Sequence, residues 1–267
     1  MAAEPLTPRS PRVKAARKLH RRASRTSARR FLAEGPQAVR EAAGLADCLI
    51  EVFAEPSAAD RHPDVAAAVA AAGVPWTLVD DAAMGALAET IAPQGIIGVC
   101  SFVDAELDHI PADARLVAIC VDVRDPGNAG VVIRCADAAG ADAVVLAGTS
   151  VDPYNGKCVR SSAGSLFHLP VSIGVSVDTV ADWCRQRGLR LVAADAGGAS
   201  LDHEIVSGRL AAPTAWLFGN EAHGLSARHA AAADTVVGIP IHGRAESLNL
   251  ATAAAICLYA SAHVQRG

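Results

Sequence analysis

The sequence predicts an α/β protein whose second part is a parallel sheet with helices between its strands. Short apolar runs alternate with segments of helical periodicity along almost the whole chain of 267 residues. Two of these runs, LVAICVDV and AVVLAG, are nearly continuous, as in strands that are buried on both faces of a sheet. Several runs also end in loops of glycine and polar residues. With 51% hydrophobic residues, the chain can bury the core of one large domain or two small ones.

The first part of the chain predicts a small α/β/α domain. Residues 1–10 contain two prolines and predict a disordered tail, and residues 11–25 predict one helix with only Val13 and Leu19 to pack. The strands RFLAEG, CLIEVFA, PWTLV and IIGVCSFV alternate with helices at 36–45, 64–72 and 81–89. The polar segment DAELDHIPADAR predicts a linker with its boundary near Pro111, so we expect domains of residues 1–110 and 111–267.

The second part predicts five or six parallel strands joined by helices. We expect LVAICVDV to be followed by the loop DPGNAG, a helix at 131–139 that ends at Gly140, and the strand AVVLAG. Then come a loop and helix start at 154–165, the strand LPVSIGV, a helix at 177–188, the strand LRLVAADAGG, and strands at 215–218 and 235–239. An alanine-rich helix is predicted from about residue 250 to 263, with Ser247 or Asn249 as its N-terminal cap.

The charge is divided unevenly along the chain. Residues 1–40 contain eleven arginines or lysines and two glutamates, a net charge of +9, so the rest of the chain carries −13. This asymmetry indicates a nucleic-acid partner at the basic end. A helix with charges of one sign repels itself unless phosphates neutralise it, so RNA contact is favoured over a solvated helix. The arginines expected to contact RNA are Arg17, Arg21, Arg22 and Arg25, with Arg160 further along the chain.

Other classes of protein are disfavoured. No apolar run reaches the roughly 18 to 20 residues of a membrane span, and no apolar segment follows the basic N-terminus, so we expect a cytoplasmic protein without a signal peptide. The seven cysteines are scattered, which predicts buried thiols, and without zinc-type spacing we expect no metal. GKC at 156–158 lacks the first glycine of a phosphate loop, and DPGNAG lacks the spacing of a dinucleotide motif.

Three motifs carry a more specific signal. FGNEAHGLS is followed by IPIHGRAESLNLATAAA, and upstream DVRDPGNAGVVIRCADAAGADAVVL contains Asn128, Gly130 and Arg134. In this order they resemble the three motifs of the SpoU-type (SPOUT) RNA 2′-O-ribose methyltransferases. The segments RRFLAEGPQAVREA and APQGIIGV resemble the ribosomal-protein-like RNA-binding domain that often precedes such catalytic domains.

The resemblance implies a fold, a reaction and partners. The second domain would contain a trefoil knot, a rare exception to unknotted topology. The protein would transfer a methyl group from S-adenosylmethionine to a ribose 2′-OH, without a metal. The basic N-terminal domain favours structured 23S rRNA, including the kind of target that thiostrepton-resistance enzymes modify, over tRNA. A homodimer through the C-terminal domain is implied, and the helix at 250–260, apolar on every side, favours it.

The resemblance also assigns residues. The implied catalytic residues are Arg134, Asn128, Glu221, Ser247 and Asn249, and the implied cofactor-binding residues are Gly219, Ile239 and Leu248. By themselves these residue types would indicate a surface arginine, helix caps, a solvated acid and apolar core. A non-catalytic RNA-binding or ribosome-assembly protein with this fold is the rival from another class.

Arg134 has the most specific expected role. We place it in the first two turns of its helix, where a cation is poorly placed against the dipole and a nearby anion would relieve it. A guanidinium, with a pKa above about 12, is a poor base at neutral pH. We therefore expect Arg134 to orient the ribose and stabilise the developing alkoxide, while an RNA phosphate or water takes the proton.

Overall fold

The computed structural model describes residues 4–267 and contains two compact units. The first unit is the chain up to Val103 together with Asp152–His168, and the second is Asp104–Val151 together with Leu169–Gly267. The strands are β1 (Arg30–Glu34), β2 (Leu49–Ala54), β3 (Trp76–Leu78), β4 (Ile96–Ser101), β5 (Leu116–Val121), β6 (Ala143–Ala147), β7 (Val171–Ile173), β8 (Arg190–Ser200), β9 (Thr214–Phe218) and β10 (Thr235–Gly238). The helices are α1 (Pro11–Arg17), α2 (Arg22–Ala28), α3 (Pro36–Gly44), α4 (Ala58–Arg61), α5 (Pro63–Ala71), α6 (Asp81–Leu87), α7 (Pro126–Ala139), α8 (Gly156–Ser162), α9 (Val177–Gln186), α10 (Leu201–Val206), α11 (Ala227–Ala231) and α12 (Leu250–Arg266).

The first unit is built on a mixed sheet in the order β1-β4-β2-β3. β4 is antiparallel to both of its neighbours, whereas β2 and β3 are parallel. Its core includes Leu19, Phe53, Met84 and Ile97, all of which are buried. α6 begins after Asp80, whose side chain accepts a hydrogen bond from the Ala83 amide at 2.7 Å. The strands and helices follow the predicted alternation, apart from the short helix α4.

The basic N-terminal segment differs from its prediction. The expected single helix is two, because Arg21 has extended backbone angles between the 3₁₀ turn at Lys18–His20 and α2. Val13, Ala16 and Leu19 are buried, so these helices pack into the unit rather than standing free as a cationic rod. The predicted tail is also wrong where it is described, since Leu6 exchanges backbone hydrogen bonds with Leu78 and Asp80. Residues 1–3 of that tail lie outside the described residues.

The second unit contains the predicted parallel sheet, in the order β10-β8-β9-β5-β6-β7 with every pair parallel. Its long apolar strands are buried on both faces, as their composition predicts. The chain runs outward from β5 to β6 and β7, and later strands are added on the other side of β5. The sheet therefore reverses its order between β5 and β9, where ligands of open α/β sheets bind beyond the carboxyl ends of the strands.

Two helix starts place the motif residues differently from the prediction. α7 begins at Pro126 rather than at residue 131, because proline suits the first helical position and the Asp125 side chain caps the Asn128 amide at 2.8 Å. Arg134 is thus the ninth residue of α7, and the expected conflict with the helix dipole does not arise. α12 begins after Asn249, which is its cap, and extends to Arg266, beyond the predicted end. Gly140 ends α7 in the left-handed conformation, as predicted.

The compact units do not follow the predicted boundary near Pro111. Leu107 and Ile110, from the segment expected to be a linker, are buried in the core of the second unit. Asp152–His168, which the prediction counts with residues 111–267, belongs to the first unit. Apolar side chains in a polar-looking segment account for the first difference, and the second depends on tertiary contacts that no local pattern encodes. None of the helices in residues 4–267 is long and apolar enough to cross a membrane.

Candidate active site

Three loops meet at one edge of the second unit's sheet. They follow β5, β9 and β10, and because those strands are parallel, their carboxyl ends lie at the same edge. The first loop leads into α7 and the third into α12, and these two helices pack against each other. Each loop contains one of the three sequence motifs. The fold therefore brings together segments that are separated by up to about 120 residues along the chain.

Glu221, in the second loop, is bonded to the first loop. Its carboxylate accepts hydrogen bonds from the backbone amides of Arg124 at 3.1 Å and Asp125 at 3.0 Å. It also accepts one from the Asn128 side-chain amide at 3.1 Å. Glu221 therefore anchors the loop that opens α7 and pairs with no arginine side chain within residues 4–267.

Asn128 is also hydrogen-bonded to the third loop. Its side-chain oxygen accepts a hydrogen bond from the Asn249 amide at 3.1 Å, and the Asn249 oxygen accepts from the Ala251 amide at 2.9 Å. A carboxylate only accepts and a backbone amide only donates, so both ends of this chain fix the orientation of the two side-chain amides. Glu221, Asn128 and Asn249 thus form one directed chain across all three motifs, which we call the motif chain.

The electrostatics of Glu221 follow from these bonds. Burial by itself would raise the pKa of the Glu221 carboxyl. Hydrogen bonds from its own backbone amide, from Arg124, from Asn128 and from Asp125 outweigh this effect, so the pKa of Glu221 lies below its ordinary value. The motif chain therefore ends on an ionised carboxylate at neutral pH.

The second loop is a tight turn that presents Glu221 at its tip. The backbones of Asn220 and Gly224 exchange two hydrogen bonds, at 3.0 and 2.8 Å. The Asn220 amide donates to the Asp122 carbonyl at 2.7 Å, which ties the turn to the end of β5. Gly219 has to be glycine, because a Cβ there would lie 2.2 Å from the Gly224 carbonyl carbon. The turn is thus built around positions where the backbone crosses itself closely.

A cavity of about 470 Å³ adjoins the motif chain. Its size is within the range of about 300 to 1,000 Å³ that is typical of small-molecule sites. All three residues expected to bind the cofactor line it, as do Glu221, Ser247 and Asn249. The other lining residues are Ala194, Asp195, Ala196, Phe218, Asn220, Ala222, Gly224, Val237, Ile241, Glu246, Leu250 and Ala253.

Ser247 and Arg134 are not hydrogen-bonded to the motif chain. Ser247 is exposed, lines the cavity and makes no hydrogen bond within residues 4–267, so it is not the helix cap. Arg134 is exposed on α7 and is not among the cavity-lining residues. Its guanidinium makes no hydrogen bond or ion pair with any residue that the structure describes. The structure thus brings together four of the five expected catalytic residues and leaves Arg134 on the surface.

The arginines expected to contact RNA divide into two groups. Arg17, Arg21 and Arg22 are exposed, and none has a hydrogen-bond or ion-pair partner in residues 4–267. Arg25 is only 3% exposed and donates to Asp152 at 2.7 and 3.0 Å and to the Leu19 and His20 carbonyls. Burial with partners on every side contradicts its expected role, because no face of the guanidinium is left for a phosphate.

Arg160 also has internal partners. It donates to the Glu34 carboxylate at 3.0 Å and to Glu89 at 3.2 Å, and its side chain is 28% exposed. Two carboxylates already compensate its charge, so attraction to phosphate is weak at this position. Like Arg25, it holds the segment that contains α8 to the rest of the first unit.

The comparisons with known proteins agree with this geometry. Residues 115–259 match the model of the SpoU rRNA Methylase family, and residues 10–98 match the MRM3-like substrate binding domain. The chain belongs to the SpoU rRNA methylase family. Its relative in Bacillus subtilis (strain 168), the 23S rRNA (guanosine(2553)-2′-O)-methyltransferase RlmP, is 35% identical over 93% of this chain and 94% of its own.

Solved structures of family members cover nearly the whole chain. The AdoMet-bound rRNA methyltransferase from Sinorhizobium meliloti has a TM-score of 0.83 and 32% identity, with 97% of each chain covered. The SpoU methyltransferase AviRb from Streptomyces viridochromogenes, in complex with the cofactor AdoMet, has a TM-score of 0.81 and 30% identity, with 96% of this chain and 98% of that chain covered.

Some participants in the site of this SpoU protein lie outside the sequence prediction. Asp125 caps α7, and Asn220 holds the second loop to β5. The sequence contains a signal for both residues, because each precedes a motif residue in a turn and has a short side chain of the kind that bonds to nearby backbone. The amides of Arg124 and Asp125 had no signal of their own, since any residue supplies a backbone N–H.

Proposed function

We propose that this protein methylates a ribose 2′-OH in 23S rRNA. As a SpoU family member it is an RNA 2′-O-methyltransferase that uses S-adenosylmethionine. The motif chain carries the proposal, because it joins the family's three motifs beside a cavity of suitable size. The B. subtilis relative acts on 23S rRNA, and it matches nearly the whole chain, including the first unit. Ribosomal RNA therefore has more support than tRNA. Action on ribosomal RNA supports a location in the cytoplasm.

The cavity fits the cofactor in chemistry as well as in size. Its apolar lining, including Phe218, Val237 and Ile239, suits an adenine ring, and the backbone around Gly219 offers amides and carbonyls to the ring edge. The bound cofactor supplies an activated methyl carbon on its sulfonium, so no metal is required. The protein's task is then to align a 2′-OH and to provide for its proton.

Arg134 is the proposed partner of the ribose. Its planar guanidinium can bridge the 2′ oxygen and a phosphate, stabilising negative charge as the proton leaves. The proton goes to an RNA phosphate or to water. Ser247 is exposed at the cavity and makes no hydrogen bond within residues 4–267, so its hydroxyl is suited to hold a phosphate of the target nucleotide beside the N-terminus of α12.

We also propose that the active protein is a homodimer in which Arg134 acts in the cavity of the partner subunit. Arg134 does not line the cavity of its own chain. α7 and α12 pack together, and both expose apolar side chains: Val131 is 37%, Ile256 37% and Tyr259 52% exposed. A second copy would cover these side chains. A monomeric mass in light scattering at micromolar concentration would contradict the dimer.

A trefoil knot and an RNA-binding role for residues 1–110 belong to the same proposal. The match of residues 115–259 to the SpoU rRNA Methylase family supports the knot. The exposed arginines of the first unit and its match to a substrate binding domain support the RNA-binding role.

Transfer of labelled methyl groups tests the function. The protein is incubated with S-adenosyl[methyl-³H]methionine and either 23S rRNA or bulk tRNA from cells that lack it, and the modified nucleotide is mapped. We expect incorporation into 23S rRNA as 2′-O-methyl ribose. Incorporation into tRNA alone would favour the tRNA alternative, and RNA binding without transfer to either RNA would favour the non-catalytic one.

Mixed dimers test the shared site. Arg134→Ala removes the proposed ribose partner, and Ala253→Phe fills the cavity from α12. Each homodimer should be inactive. If Arg134 acts across the interface, a co-expressed heterodimer of the two variants has one intact site and recovers activity. No recovery would assign Arg134 to the cavity of its own subunit.

A further inference from the structure

β8 contains an acidic residue outside the three motifs that reaches the cavity. The pairing of β8 with β10 stops at Ala193 and resumes at Ala199, so residues 194–198 bulge out of the ladder. Gly198 permits the bulge, because no side chain fits against the backbone of Val236. The bulge places Asp195 on the cavity wall. Bulges of this kind re-aim side chains next to active sites.

Only one oxygen of the Asp195 carboxylate accepts a hydrogen bond within residues 4–267. One oxygen accepts a hydrogen bond from the Gly197 amide at 3.0 Å. The other lies 3.8 Å from the position that a Cβ on Gly224 would occupy, so it lies beside the turn after β9. Asp195 is exposed and has no cationic partner within residues 4–267.

The charge on the cavity wall has one sign. Three carboxylates line it, from Asp195, Glu221 and Glu246, and no lysine, arginine or histidine is among the described residues that do. The charge of Glu221 is compensated by the amides that bond it. Asp195 accepts one such bond, from the Gly197 amide, and Glu246 accepts none within residues 4–267, so their charges are less compensated than that of Glu221.

The methyl donor and its product differ in charge. S-adenosylmethionine carries a sulfonium and an ammonium cation and one carboxylate, so it is positive overall. S-adenosylhomocysteine has lost the sulfonium charge and is neutral overall. A cavity with incompletely compensated carboxylates and no cations attracts the first more than the second.

We propose that Asp195 is a specificity-determining residue that makes the cavity favour the positively charged methyl donor over the neutral product. Transfer of the methyl group then weakens binding by itself, which favours release of the product. The inference rests on the proposed function, since it assumes that the cavity holds this cofactor.

Calorimetric titration of Asp195→Asn tests the inference without RNA or turnover. Asparagine keeps the acceptor for the Gly197 amide, so the substitution removes the charge and leaves the loop's hydrogen bond in place. The ligands are S-adenosylmethionine, S-adenosylhomocysteine and sinefungin, which has a protonated amine near the sulfonium position. We expect the two cationic ligands to bind roughly five- to tenfold more weakly, as for the loss of one screened charge pair, and the neutral product to change less than about twofold.

Two matched variants complete the test. Asp202→Asn removes an exposed acid on α10, away from the cavity lining, and should leave all three affinities unchanged. Glu246→Gln removes the other less compensated carboxylate of the wall. The donor-to-product preference of the wild type should also decrease as salt increases, and Asp195→Asn should show less of this dependence.

Several results would overturn the inference. Equal weakening of all three ligands would mean that Asp195 acts through shape or a hydrogen bond. No change in Asp195→Asn, with loss of the preference in Glu246→Gln, would assign the effect to Glu246. Wild-type protein that binds none of the ligands would overturn the proposed function itself, which distinguishes that failure from the first two.

Discussion

The two units use charged and polar side chains in different ways. The first unit carries exposed arginines on α1 and α2, and it pairs its buried Arg25 with Asp152. The second unit joins its three motif loops through neutral amides that end on one carboxylate, and its cavity has no cation among the described lining residues. Exposed charge attracts a phosphate backbone over a distance, whereas directed hydrogen bonds hold atoms in place. On the proposed function, RNA capture and alignment of the reacting groups are separate tasks in separate units.

The largest expected effect is on the folding of the first unit. Arg25→Met should lower the free energy of unfolding by about 3 kcal/mol or more, because Asp152 would remain partly buried without its partner. This free energy is measured by urea unfolding, with limited proteolysis of the first unit as the probe of how much protein is unfolded. The matched variant Arg22→Met alters an exposed arginine that has no partner within residues 4–267, and it should cost less than about 0.5 kcal/mol. If Arg25 contacts RNA instead, its replacement would spare stability and weaken RNA binding.

The next effect concerns catalysis in the second unit. Arg134→Lys keeps the charge but loses the planar fork of donors, so turnover should fall by roughly two orders of magnitude or more. Affinity for S-adenosylmethionine and the oligomeric mass of the protein should remain those of the wild type, because the proposed contacts of Arg134 are with the ribose and a phosphate of the RNA. Single-turnover methylation with saturating RNA measures the step directly.

A matched control separates this role from a general effect of replacing an arginine. Arg185→Lys alters an exposed arginine of α9 that pairs with Asp182, and it should leave turnover within about twofold. Near-normal methylation by Arg134→Lys would remove Arg134 from the mechanism. Arg160 is then a poor substitute, since Glu34 and Glu89 already hold it.

The motif chain itself should respond to a neutral replacement at its end. Glu221→Gln places an amide NH₂ group where the Arg124 and Asp125 amides already donate, so at least one donor loses its acceptor. We expect a loss of about 1 kcal/mol in stability for this exposed site, together with reduced turnover. Glu246→Gln, in the same cavity wall but outside the chain, should cost less than about 0.5 kcal/mol.

The pH dependence of that cost has a defined sign. The pKa of Glu221 is lowered in the folded protein, so its contribution is present above its ordinary value of 4.5 and is lost as pH falls through the lower folded value. The stability difference between wild type and Glu221→Gln should therefore be constant from pH 7 to about 5 and shrink below about 4.5. A difference that grows on acidification would contradict the assigned bonds.

Sequence patterns predicted the second unit more fully than the first. The apolar strands β5 and β9 and the stop at Gly140 follow from local composition and backbone preference, and they appear where predicted. The expected cofactor-binding positions, which line the cavity, came from the family motifs, because Ile239 and Leu248 by themselves are ordinary apolar residues. The predicted start of α7 is too late, because the glycines of DPGNAG favour a loop, whereas proline at the first helical position and the Asp125 cap begin the helix at Pro126.

What the sequence could not supply is the identity of each side chain's partner. Arg25 and Arg22 lie in the same basic run, yet one is buried against Asp152 and the other is exposed. Their separation depends on a contact 127 residues away along the chain. Asp195 likewise looks like the end of a strand in the sequence, and only the bulge of β8 shows that it reaches the cavity.

The smallest expected effect sharpens the role of the first unit's surface. Deletion of residues 1–30 would not test it cleanly, because Val13, Ala16 and Leu19 are part of the core.

The triple variant Arg17→Gln, Arg21→Gln, Arg22→Gln removes only exposed charge. The slope of the logarithm of RNA affinity against the logarithm of salt should fall by about 0.9 for each duplex phosphate that is no longer bound, up to about 2.7, with cofactor affinity unchanged. Replacing Arg185 and Arg228, which already pair with acids in the second unit, should leave the slope as it is. An unchanged slope in the triple variant would mean that these arginines do not touch RNA, and capture would have to be sought on another surface.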